Sequence, residues 1–111
     1  MLRRIGFFVL ALSLLSSHAD AEEAKVAVQL KGVGALTCAH WRSTAASRAE
    51  GTVWIFGFWS GLNYVAAASE QVQPKSDEKG VIAEVARVCA TNPSQVLASP
   101  VWEAYMNFSK K

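Results

Sequence analysis

Histidine is scarce in this chain, with two in 111 residues, and the cysteines also number two. Charge is thin at 18%, there are three prolines, and after the first fifteen residues no apolar run reaches membrane-spanning length. Each shortage excludes something. The opening run Ile5–Leu15 is 11 residues, too short to cross about 30 Å of hydrocarbon as a helix. It follows Arg3 and Arg4 and precedes Ala19-Asp20-Ala21, small residues at the two positions that a signal peptidase reads. That three-part pattern predicts a signal peptide over 1–21 and export to the periplasm. The mature chain of about 90 residues makes one domain with one modest core. Removing Arg3, Arg4 and Asp20 leaves nine Lys/Arg against eight Asp/Glu, a net +1. A strongly basic nucleic-acid surface is therefore excluded, and no stable membrane insertion is expected after cleavage.

An exported chain meets oxidising conditions, so Cys38 and Cys89 are expected to form a disulfide. No thiol nucleophile then remains. A zinc site would need Cys38, His40 and Cys89 all free, plus a fourth ligand that the sequence does not offer. A hydrolase would rest on Glu50 or Glu70 without a partner, while Asp77 and Glu78 are adjacent and read as helix-start carboxylates. No phosphate-cradling glycine loop occurs. The expectation is a protein with no catalytic residues, no metal and no cofactor.

What is present is apolar and helical in period. Residues 22–35 read as an N-terminal arm, flexible or with a short strand at Val26 and Val28. Thr37 is placed to cap a short helix through Trp41 and Thr44, and Ser43–Ala49 reads as a turn or a frayed helix end. Gly51–Ala68 holds an apolar run with no alternation, Val53 to Leu62, and reads as a helix buried nearly all round. Gly57 and Gly61 fall on one face of it, at a cost of about 2 kcal/mol of helix propensity. Close approach of another helix is the expected compensation. Val81, Ile82, Val85, Val88 and Cys89 follow the 3.6-residue period of a helix that starts at Ser76-Asp77-Glu78 and ends near Ala90. Asn92-Pro93-Ser94-Gln95 looks like the cap, first turn and capping box of a further helix; Pro100 either kinks it or lets Ser99 cap a separate last one. The predicted fold is all-α: a small orthogonal bundle of four to five helices over residues 36–111, tied by one disulfide.

Trp54, Phe56, Phe58, Trp59 and Tyr64 exceed what one thin layer of helices hides, and they are the candidate surface for a homodimer or a protein partner. Thr37-Cys38, Trp54-x-x-Gly57-Phe58-x-x-Gly61, Val88-Cys89 and Asn92-Pro93 together resemble the HdeA/HdeB family of periplasmic acid-stress chaperones. That resemblance covers Leu36 to about Phe108. It implies a dimer at neutral pH that loosens in acid and exposes aromatic residues to unfolding client proteins. The aromatic–glycine helix and the Asn-Pro step are also similar to the Tai-type immunity proteins of type VI secretion, which implies a rigid module that blocks a toxin. Those proteins carry additional cysteines that this chain lacks.

Overall fold

A computed structural model describes residues 26–110; the expected signal peptide lies outside them. Among the described residues the fold is all-helical. A 3-10 turn at Gly32–Ala35 leads to α1 (Cys38–Trp41), α2 (Ala45–Ala68), α3 (Glu78–Thr91) and α4 (Ala98–Ser109). The one extended pairing is an isolated bridge between Thr37 and Val96.

A four-residue helix cannot hold itself up in water, so α1 depends on what surrounds it. Each donor of its first turn has a partner. His40 N–H bonds Thr37 Oγ1 at 3.1 Å, and Trp41 N–H bonds the Thr37 carbonyl. Cys38 N–H and Ala39 N–H bond the carbonyls of Gln95 and Pro93, both at 2.9 Å. The Asn92–Gln95 segment is therefore no helix start. Asn92 instead ends α3, and the turn after it caps α1 from outside. α4 begins at Ala98 with Pro100 at its third position, where a missing N–H breaks no helical bond. Pro100 kinks nothing.

α2 starts six residues before the expected Gly51. Thr44 accepts from Ser47 N–H at 3.0 Å, and the alanines that follow are strong helix formers. It ends at Ser69 in a Schellman arrangement, in which Gln71 N–H bonds the Ala66 carbonyl at 2.8 Å and Glu70 N–H bonds that of Ala67 at 3.1 Å. This puts Glu70 in the left-handed region at φ 57°. α2 is not buried all round. Gly51, Ile55 and Trp59, spaced by four, form its buried row, and the opposite face has no layer over it. A domain this small has one core and cannot supply a second layer.

The core gathers Trp41, Ile55, Trp59, Val81, Val85, Leu97, Val101 and Tyr105 around the Cys38–Cys89 disulfide. The two Cα atoms stand 5.5 Å apart across a separation of 51 residues. Trp41 is fully buried. Its indole N–H donates to the Arg48 carbonyl at 3.1 Å, and the Arg48 guanidinium lies 5.4 Å over the ring. The chain before Leu36 is also anchored: Val33 and Gly34 are buried, and Trp54 donates its indole N–H to the Lys31 carbonyl at 3.1 Å. Order thus reaches back to Lys31, inside the segment read as a flexible arm, because Trp54 supplies both a flat apolar face and a donor.

Candidate functional site

The aromatic residues of α2 part company around the helix. Trp59 faces inward, edge-on to Tyr105 at 4.9 Å and to Phe108 at 6.0 Å, and belongs to the core. Trp54 and Phe58, four apart, stack at 5.1 Å with 12° between their planes. Phe56 turns toward α3 and lines an open depression with Arg48, Lys79, Ile82 and Ala86. Tyr64 is 79% exposed. One dimer or partner surface containing all five is therefore not what the helix presents.

Gly57 and Gly61 meet nothing: a Cβ built on either has no atom within 4 Å outside its own helix. The expected close approach of a neighbouring helix is absent from the chain's own packing. The glycines that do permit close approach are Gly34, under the Trp54 ring, and Gly51, under Trp41.

An apolar surface lies elsewhere, between α2 and α4. Val28, Leu30, Phe58, Leu62, Ala98, Ser99 and Trp102 line a cavity of about 470 Å³. Leu62 and Trp102 also line a second cavity, of about 410 Å³, that continues along Val65, Ala66, Tyr105 and Met106 to Gln71 and Val72. The two adjoin at Leu62 and Trp102, in a groove whose rims also include the non-helical residues Val28, Leu30, Gln71 and Val72. The helical part of its lining falls on one face of each helix: Phe58, Leu62 and Val65 on α2, and Trp102, Tyr105, Met106 and Ser109 on α4. Among the described residues, no lysine, arginine, aspartate, glutamate or histidine lines either cavity.

Trp102 and Met106 carry the apolar period of α4, as the sequence indicates, but they sit at its edge. Val101, Ala104 and Tyr105 take the core positions, leaving Trp102 50% exposed. The sequence does hold a signal for this: the apolar stripe of α4 is wider than one neighbouring helix can cover. Beneath the groove, Tyr105 donates to Asn63 Oδ1 at 3.1 Å, and burial raises the phenol pKa above its ordinary value. On the far side of the bundle, Glu84 takes a two-pronged contact from Arg87, at 2.6 and 3.1 Å, and a hydrogen bond from Asn107 at 3.4 Å, which ties α3 to α4. The Glu84 hydrogen bond, and then its charge, raise the Arg87 pKa.

The residues that would serve catalysis remain scattered. Glu50 and Glu70 lie near opposite ends of α2, about 30 Å apart by helix rise. Asp77 accepts from Gly80 N–H at 2.7 Å as the cap of α3. His40 is exposed on α1, both cysteines are bonded to each other, and no three His, Cys, Asp or Glu side chains gather among the described residues. No helix among them is long and apolar enough to cross a membrane. The chain matches no protein-family model, no curated protein and no solved structure.

Proposed function

We propose that this is an exported, non-enzymatic protein-binding module that works in its folded state through the α2–α4 groove. The observation that carries the reading is an apolar groove, lined by no charged side chain among the described residues, that is already open to solvent in the native fold. An apolar groove left open to solvent suits a surface that another protein covers. Of the two families the sequence resembles, the immunity type suits this arrangement better. An acid-stress chaperone hides its client surface until protonation releases it. Here the surface needs no release, and no charged residue of the described chain is buried to act as a trigger.

Site-specific photo-cross-linking in the envelope of the producing cell tests the reading. A photoreactive residue at position 106, in the groove, is expected to form adducts of discrete mass with another protein at neutral pH. The same residue at position 90, exposed near the end of α3 and outside the cavities described, is expected to give none. Absence of adducts at 106 would remove the basis for the reading. Adducts that form there only after acidification would restore the acid-stress chaperone.

A further inference from the structure

We infer that residues 26–31 form a strap along one end of the groove, hinged at Gly32 and clipped in place by Trp54, and that release of the strap widens that end. The strap stands on the geometry of the chain itself. Its effect on a partner rests on the protein-binding reading above.

The strap is held by little of its own. Val26–Leu30 is extended, and among the described residues it makes no hydrogen bond to the rest of the fold. Val26 and Val28 are 81% and 78% exposed, and Leu30 is half-buried. Just beyond, the chain is fixed. Val33 and Gly34 are buried, and Leu36 N–H bonds the Val33 carbonyl at 2.9 Å. The boundary between loosely held and fixed chain falls at Gly32. Its φ of 73° lies in the left-handed region, which glycine enters without the steric cost that other residues meet. A Cβ there would find only ordinary contacts, 3.6 and 3.7 Å from Trp54. The backbone turn, and not a lack of space, is what calls for glycine.

The clip is one group. Trp54 donates its indole N–H to the Lys31 carbonyl at 3.1 Å, the single hydrogen bond that residues 26–31 make among the described residues. The ring that carries this donor does not need the strap to hold it. It stacks on Phe58 at 5.1 Å and lies over Gly34. The donor is thus set in place on α2, and the strap engages it or leaves it. A neutral hydrogen bond shifts an equilibrium by a factor of roughly 2–10, and the entropy of ordering the strap backbone opposes it. A segment tied this way opens locally while the core stays closed.

The seat of the strap gives the opening a consequence. Val28 and Leu30 line the same cavity as Phe58, Leu62, Ala98 and Trp102. When the strap leaves, that cavity loses one wall, and Phe58 and the Trp54 indole N–H gain access to water. The other end of the groove, around Tyr105, Met106 and Val72, has no strap residue in its lining and is the same in both states.

A nitroxide attached through Gln29→Cys in the oxidised chain, with the expected signal peptide removed, broadens nearby proton signals. Gln29 is exposed and leaves Val28 and Leu30 in place. Broadening of the Trp102 indole proton is expected. Trp54→Phe keeps a ring and removes the donor, and it should restore about half or more of the lost Trp102 intensity. Circular dichroism checks that the helices remain. Leu30→Ser, which lies outside the core, should act in the same direction and decides the question if Trp54→Phe unfolds the chain. No broadening in the labelled chain overturns the strap. Broadening that the folded Trp54→Phe variant leaves unchanged overturns the clip. Photo-cross-linking then tests the effect on a partner. Trp54→Phe should raise adduct yield at position 102 about threefold and leave the yield at 106 unchanged. Equal yields at 102 with and without the substitution overturn that effect. Absence of adducts at both positions sinks the protein-binding reading and leaves the strap standing on the nitroxide result.

Discussion

A methyl group added at Gly34 would land on the six-membered ring of Trp54, and one added at Gly51 would strike the five-membered ring of Trp41. Neither indole can step aside. Trp41 is sealed in the core, and Trp54 is pinned by its bond to the Lys31 carbonyl and by the stack on Phe58. Gly57 and Gly61 have open space where their side chains would be, so there alanine only restores helix propensity. The four glycines therefore divide by sign. Gly51→Ala and Gly34→Ala should each destabilise by about 1–3 kcal/mol, the usual range for overpacking. Gly57→Ala and Gly61→Ala should each stabilise by about 0.5–1 kcal/mol. Urea midpoints of the oxidised protein at constant m-value measure all four. A loss at Gly57 would mean that another chain packs on the outer face of α2.

Among the elements, α1 is the one least able to exist alone. Four residues give it no helical stability of its own, and it is held by the Cys38–Cys89 bond and by the carbonyls of the 93–95 turn. In the chain-entropy model, closing a loop of about 50 residues removes about 4 kcal/mol from the unfolded state. A domain of this size has total stability of the same order. Replacing both cysteines with serine, or reducing the bond, should therefore leave the protein mostly unfolded at 37 °C. Hydrogen exchange should show the loss first in α1 and the 92–97 turn. Uniform protection after reduction would show that packing of Trp41 alone holds α1.

This is also the scale at which the sequence is and is not legible. The period of α3, the Thr37 cap and the covalent tie are local or compositional facts, and the structure agrees with them. The Asn-Pro step satisfies every local rule for a helix start and still forms a turn, because its carbonyls are needed by α1, more than fifty residues earlier. The face of α2 that Gly57 and Gly61 occupy carries the pattern of a helix crossing, but no element among the described residues reaches it. The groove is legible only in part. Trp102 and Met106 keep the helical period, and whether a residue at the edge of that period is covered depends on how wide the neighbouring layer is.

For the molecule as a whole, pH separates a constitutive binder from an acid-released one. With the expected signal peptide removed, protonating eight carboxylates would leave nine Lys/Arg, His40 and a new amino terminus, a charge near +11. Repulsion of that size loosens a fold most readily when it also breaks buried or cooperating ion pairs. The described chain has no fully buried charge, and in the Glu84–Arg87 pair the arginine is exposed while Glu84 is half-buried and also bonded to Asn107. Tryptophan emission and helical circular dichroism should hold from pH 7 to about pH 3 at physiological salt. The alkaline arm should behave differently. Burial raises the Tyr105 phenol pKa above the 10.0 of an exposed tyrosine, so its contribution is complete below that value and is lost as pH climbs through the higher folded one. Arg87, also raised, follows the same sign above the ordinary arginine range and leaves the neutral range untouched. Tyr105→Phe should lower stability at pH 7 by about 1 kcal/mol through loss of the Asn63 hydrogen bond, while flattening the decline above pH 10. Chemical denaturation at pH 3, 7 and 10.5 on both proteins measures each arm. A cooperative acid transition that exposes Trp59 would mean that net charge alone unlocks the core, and the chaperone resemblance would then describe the protein better than a constitutive module does.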